Sequence, residues 1–238
     1  MRGKGFSFKQ FHINHDRCAM KVGTDGTLLG AWAALPASCA RILDIGTGSG
    51  LIAIMAAQRH PTAHITAIDV DADCIAQARE NIEACPWSHR IELHHTPLQE
   101  FKAEHRFDVI ISNPPYFVDS LLSPDGKRSM ARHTSSLPFE ELVEGVLRLL
   151  SPEGHFSLIL PPAECERFLS EARGRLFVSR RTELHSTPKS GVRRVLTEFQ
   201  VFPPEDIPVT DHLVIEENNP TGYSDKYRAL TKDFYLKF

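Results

Sequence analysis

Arg41-Ile42-Leu43-Asp44-Ile45-Gly46-Thr47-Gly48-Ser49-Gly50 decides the fold. A short apolar run ends in three alternate glycines, and the next residues, to Arg59, have helical spacing. That order predicts a buried strand, a tight turn and a helix. Glycines at the turn permit positive φ and let a ligand approach the backbone closely. The spacing is G-x-G-x-G, not the G-x-G-x-x-G of dinucleotide sites. Asp44, two residues before Gly46, would repel a pyrophosphate and attract an ammonium group. Asp69 ends the next predicted strand, 23 residues after Gly46, where a carboxylate accepts ribose hydroxyls. The set Asp44, Gly46, Gly48, Gly50 and Asp69 favours S-adenosylmethionine (SAM) over a nicotinamide dinucleotide.

Outward from this turn, strand and helix signals alternate. Strands are predicted at Ile65–Asp69, Ile91–His95, Phe107–Ser112 and His155–Leu160, with late strands at Leu176–Arg181 and Val195–Phe202. Helices are predicted over Asp71–Cys85, with Asp71 as N-cap, over Phe139–Leu150 and over Ala163–Arg173. This alternation implies an α/β fold with a mostly parallel sheet and helices on both faces. Ligands of such sheets lie at the carboxyl ends of the strands. Asp69-Val70-Asp71-Ala72-Asp73 imitates the start of a calcium loop, with Glu80 at the twelfth position. Its sixth position is Cys74 rather than Gly, so it reads as a helix start, and no metal is expected.

The second motif, Asn113-Pro114-Pro115-Tyr116, begins 69 residues after Asp44, at the end of another predicted strand. An exocyclic amine on an aromatic ring is a poor nucleophile because its lone pair is delocalised. The Asn113 amide oxygen and the Pro114 carbonyl can each accept one of its N–H bonds and free that lone pair. Pro115 stiffens the turn, and Tyr116 can stack on a flat substrate. Together the two motifs imply methyl transfer from SAM to the nitrogen of a base or an amide, with no general base needed before attack.

The 238 residues suit one domain with small additions, and 42 % hydrophobic and 24 % charged content is ordinary for a globular protein. No apolar run of membrane-spanning length is present, and Met1–Phe6 lacks the features of a signal peptide. Five scattered cysteines without a Cys-x-x-Cys point to a reducing compartment, the cytoplasm, and to no structural zinc. The net charge of −3 is unevenly spread: residues 1–21 carry +4 and residues 173–194 carry +6, leaving −13 elsewhere. The two clusters suggest a phosphate-binding surface that includes Arg193 and Arg194. Arg128, Arg132 and His133, in the polar stretch after Tyr116, are further candidates.

The chain resembles the bacterial tRNA1(Val) (adenine(37)-N6)-methyltransferase family over nearly its whole length. The resemblance is carried by Phe8-Lys9-Gln10-Phe11, by His15–Gly26, by Leu28-Leu29-Gly30-Ala31-Trp32, by Pro86-Trp87, by the two motifs above, and by the Tyr223–Leu236 tail. It implies a class I SAM-dependent methyltransferase fold with a Rossmann-like, seven-stranded sheet. It also implies a tRNA substrate, methylated on N6 of A37. DNA is not expected as a partner, because 238 residues leave little room for a separate base-recognition region, and no membrane partner is expected. A protein-glutamine N5 methyltransferase and a non-catalytic SAM- or RNA-binding module are the alternatives. By the resemblance, Lys21, Val22, Gly23, Thr24, Asp25 and Gly26 fold over the methionine part of SAM. Ile45, Val70, Leu98 and Asn113 complete the cofactor set. Many relatives place an acid near the cofactor adenine where this chain has Thr96-Pro97-Leu98. The expected division is an extension at 1–35 contributing to the cofactor and RNA sites, a core at 36–204, and a tail at 205–238 packed on the core.

Overall fold

The computed structural model describes residues 5–115, 137–219 and 222–238. Tyr116, Arg128, Arg132 and His133 lie outside these residues. The strands are β1 (Gly5–Ser7), β2 (His12–Asn14), β3 (Arg41–Ile45), β4 (His64–Asp69), β5 (Ile91–His95), β6 (Phe107–Ser112), β7 (Leu150–Leu160), β8 (Phe177–His185), β9 (Val192–Gln200) and β10 (Thr210–Val214). The α-helices are α1 (Thr24–Trp32), α2 (Leu51–Arg59), α3 (Ala72–Ala84), α4 (Phe139–Leu149), α5 (Pro162–Ala172) and α6 (Asp225–Thr231).

The main sheet has the order β10-β8-β9-β7-β6-β3-β4-β5. Every neighbouring pair is parallel except the two that β9 makes. Seven strands, β3 to β9, are those read from the sequence, and β10 adds an eighth beside β8. Alternation along the strands divides the core. On β6, Ile110 faces the cluster under α4 and α5, whereas Val109 and Ile111 face the cluster under α1 and α2. An irregularity in register between Phe107 and Val109 puts Phe107 in the first cluster as well. Sequential strands on either side of β3 run outward in opposite directions, so the carboxyl ends of β3 and β6 flank a topological switch point.

Helix ends follow their local chemistry. The Asp71 carboxylate accepts the N–H groups of Asp73 and Cys74 and so caps α3. In α4, Glu140 and Glu141 lie in the first turn and Arg148 in the last, each matching the helix dipole. Leu142, Val143 and Val146 of α4 are fully buried, at roughly 1.5–3 kcal/mol each.

The segments flanking the sheet meet one another. The β1–β2 hairpin stacks Phe8 on Phe11 and on Tyr235 of the tail. The Lys9 ammonium donates to the carbonyls of Lys232 and Phe238. Tyr223, Tyr227, Tyr235 and Phe238 form a ring cluster, and Ser224 caps α6 through the Tyr227 N–H.

Candidate active site

The chain leaves β3 through Gly46, Gly48 and Gly50, with φ of 70°, 55° and 82°. A side chain is strained in this region. At Gly50 packing sets the conformation, since an added Cβ would lie 3.4 Å from the Ala78 Cβ. At Gly46 and Gly48 an added Cβ would meet nothing within 4 Å. Their backbone therefore borders open space, which is what a ligand lying against the chain requires. The N–H groups of Gly46 and Thr47 donate to the Ile68 carbonyl and fasten the turn to β4.

Asp69 joins two turns. One carboxylate oxygen accepts the Gly48 N–H at 2.8 Å and the other accepts the Asp71 N–H at 2.9 Å. Partial burial pushes its pKa upward against these bonds.

A cavity of about 260 Å³ opens over the carboxyl ends of β3, β4, β5 and β6. Ile45, Gly46 and Gly48 line it from the first strand end, and Asp69 and Val70 from the second. Thr96, Pro97 and Leu98 line it from the third, and Asn113, Pro114 and Pro115 from the fourth. The side lacking an acid is thus a Thr-Pro-Leu wall. Leu98 is set there by Gly145 of α4, where an added Cβ would come within 2.5 Å of it. Val70 is half-exposed, and Leu98 is buried.

Asn113 follows Ser112, whose hydroxyl donates to the Ile45 carbonyl and ties β6 to β3. The Asn113 Oδ1 is buried and has no hydrogen-bond partner among the described residues. A lone buried acceptor costs typically about 1–3 kcal/mol, and one on the wall of a cavity is placed to accept a donor from a ligand.

Two expected placements differ. Asp44 is fully buried beneath the first turn and is not part of the cavity lining. Its Oδ2 accepts from the Thr47 hydroxyl at 2.6 Å and the Ala53 N–H at 3.1 Å, and its Oδ1 has no partner among the described residues. Burial pushes its pKa up to about 7. Asp44 thus sits inside the glycine turn and braces it rather than lining the cavity.

Lys21–Gly26 also does not line the cavity; Cys18, Ala19 and Met20, just before it, do. Lys21 donates to the His15 carbonyl and the Val22 N–H to His15 Nδ1. Gly23 precedes α1, whose first turn contains Thr24, Asp25 and Gly26. Gly26 packs beside the catalytic candidate: an added Cβ would lie 3.9 Å from the Asn113 amide nitrogen and 3.2 Å from Leu51. Sequence reasoning missed Cys18–Met20 as lining, although they adjoin Lys21 in the block that carries the resemblance.

The basic cluster of 173–194 is partly neutralised. Arg180 pairs with Glu198, Arg181 with Glu166 and Glu183, and Arg194 with Asp25 at 2.6 Å. Arg194 thereby touches the helix turn next to Asn113, whereas the sequence separated it from both cofactor motifs. Arg193 is exposed. Glu183, His185 and His212 place possible ligand atoms within 4.8 Å of one another, but none lines the cavity, and Arg181 stands 3.5 Å from Glu183.

A glycine cradle after the first strand of the series, a carboxylate after the second and Asn-Pro-Pro after the fourth, on a sheet of this order, define a class I SAM-dependent methyltransferase. The residues fit SAM: open backbone at Gly46 and Gly48, a carboxylate at Asp69 and an apolar wall at Leu98 surround one cavity. The Methyltransferase small domain family matches residues 26–176. The chain is 52 % identical to the tRNA1(Val) (adenine(37)-N6)-methyltransferase of Phocaeicola vulgatus, over 97 % of each chain. It is 46 % identical to the protein of that name from Parabacteroides distasonis, over 98 % of each. It belongs to the tRNA1(Val) (adenine(37)-N6)-methyltransferase family. In fold it is similar to the crystal structure of a predicted O-methyltransferase from Agrobacterium tumefaciens, with a TM-score of 0.69 at 20 % identity, covering 88 % of this chain and 96 % of that one.

Proposed function

We propose that this chain transfers the methyl group of SAM to the exocyclic N6 of adenosine 37 in tRNA1(Val), the reaction named for its relatives. The observation that carries this reading is the Asn113 Oδ1, a buried acceptor without a partner among the described residues, at the rim of the cavity that fits SAM.

When bound, SAM supplies a methyl group on a positively charged sulfur, an electrophile that needs no acid catalyst. The chain's task is alignment and polarisation. The Asn113 Oδ1 accepts one hydrogen of the adenine amine and the Pro114 carbonyl accepts the other, which localises the nitrogen lone pair. Pro115 holds the turn, and Tyr116 stacks on the base. Asp69 receives the ribose hydroxyls while bracing Gly48, and Leu98 and Val70 bound the adenine of the cofactor. Asp44 acts through the turn it supports. Lys21–Gly26 act as the second layer behind Cys18–Met20, with Gly26 against the Asn113 amide.

Arg193, Arg128, Arg132 and His133 are assigned to tRNA phosphates, and Arg194 shares that role with its ion pair to Asp25. DNA is not the substrate in this reading, and the site is cytoplasmic. No helix among the described residues is long and apolar enough to cross a membrane. Nucleoside analysis of tRNA1(Val) from cells lacking the protein tests the reading. Loss of N6-methyladenosine at position 37, restored by the wild-type gene and not by Asn113→Ala, is expected. Unchanged modification would overturn it.

A further inference from the structure

The segment before Lys21 is stitched to one face of α3. The Asn14 N–H donates to the Asn81 Oδ1 at 2.9 Å, and the Asn81 amide donates back to the Asn14 carbonyl at 2.8 Å. The Arg17 N–H donates to Gln77 Oε1 at 3.2 Å, and the Arg17 guanidinium pairs with Glu80 at 2.9 Å. Asn81, Gln77 and Cys74 lie four and three residues apart, on one stripe of the helix. The paired segment runs against it in the order Asn14, Arg17, Cys18. This register delivers Cys18 to Cys74. Both line the cavity, beside Ala19 and Met20 on one side and Asp69 and Asp71 on the other.

We infer that Cys18 and Cys74 form a reversible dithiol site, oxidised to a disulfide by a low-molecular-weight disulfide, which fastens the Cys18–Met20 cover to α3 across the mouth of the SAM cavity. The register and the shared cavity wall bring the two thiols near each other, and the Cys74 thiol holds the Cys18 pKa below its ordinary value while the proximity of Cys18 raises that of Cys74. Cys18 is therefore the attacking sulfur. Its thiolate attacks the small disulfide and forms a mixed disulfide, releasing one thiolate. The Cys74 sulfur, losing its proton to solvent, then attacks Cys18 and expels the second thiolate. Two electrons pass from the pair to the oxidant, and two protons end on the two small thiols released. Transient disulfides of this kind are the type found in reducing compartments. The remaining cysteines, Cys39, Cys85 and Cys165, are also buried, and none lines the cavity.

The inference rests on the cavity being the SAM site in one respect only. Bound SAM shields the pair, and the oxidised cover slows SAM exchange. The whole protein, freed of SAM, is treated with glutathione disulfide, and its thiols are counted after denaturation. A fall from five thiols to three, with a peptide linkage between residues 18 and 74, is expected. SAM association after oxidation should slow at least about tenfold, as for a latched lid, and recover on reduction. Cys74→Ser should stop at a glutathione adduct on Cys18. The wild-type peptide map keeps the test independent of how that variant folds. Five remaining thiols, a linkage between other cysteines, or SAM exchange unchanged by oxidation would overturn the inference. Linkage at the same rate with and without SAM would contradict the placing of SAM in this cavity and leave the dithiol assignment standing.

Discussion

Asn113 and Asp44 each bury a side-chain oxygen that has no partner among the described residues, yet they serve different ends. Asn113 faces the cavity and Asp44 lies under it. Asn113→Ala is expected to lower turnover by about 10² or more, the scale of losing one aimed polar group in an active site. SAM affinity, by calorimetry, should stay within about twofold, because the truncation removes the acceptor for the amine and not the cofactor cradle. Asp44 gives a pH prediction. Its pKa rises from 3.8 to about 7, chiefly through burial. Between those values the fold holds a proton that the unfolded chain has lost, so its contribution to stability falls as pH rises through that window. Asp44→Asn removes this dependence. The Tm of the variant relative to wild type should therefore climb from about pH 4 to about pH 7 and then level off. A constant difference would mean that Asp44 is ionised throughout. Residue types and spacing revealed both positions, but not which of them borders the cavity, because that depends on how Thr47 and Ala53 close around the carboxylate.

Among the elements, the glycine turn and the late hairpin carry the sharpest consequences. Gly48 has φ of 55° and open space where a Cβ would stand. Gly48→Ala should cost about 1–2 kcal/mol of stability from backbone strain. SAM affinity should fall further than stability, since the methyl enters the cradle. Chemical denaturation and SAM titration of the same protein check this, and an unchanged SAM affinity would place the cofactor elsewhere. On the β8–β9 hairpin, Arg193→Ala should weaken tRNA binding and make its salt dependence shallower by about one phosphate contact, with SAM affinity unmoved. Arg194→Ala should also disturb SAM binding, because Arg194 holds Asp25 in the first turn of α1. Binding curves over a salt series separate the two, and identical behaviour would dissolve the distinction. The sequence showed β3 and β5 to the residue, and α3 with its cap, because apolar period and capping chemistry agreed there. β8 runs past the expected end at Arg181 to His185, and β9 begins at Val192 and stops at Gln200 rather than spanning Val195–Phe202, because the two strands pair with each other beyond their apolar stretches. The three-residue β1 and β2, the polar edge strand β10 and the two-turn α6 have too little periodicity to be read.

At the scale of the whole molecule, an acidic chain has to hold a polyanion. The excess of base at 173–194 shrinks once Arg180, Arg181 and Arg194 are matched with their acids, so Arg193 and the stretch beyond Pro115 bear more of the phosphate assignment. The two flanking segments close on each other through Lys9, Phe8 and Tyr235. The N-terminal one continues into the latch on α3 and the cover of the cavity. That arrangement was not legible in the sequence because it links residues more than 200 positions apart. In the proposed reaction Asn113 directs the methyl of SAM to one adenine amine. This role is tested most directly by incubating purified protein with SAM and unmodified tRNA1(Val), then mapping the methyl by fragment mass spectrometry, for wild type and Asn113→Ala side by side. One N6-methyl group at position 37 is expected with wild type and almost none with the variant. A methyl on another nucleotide, transfer to protein in place of tRNA, or equal yield from the variant would contradict it.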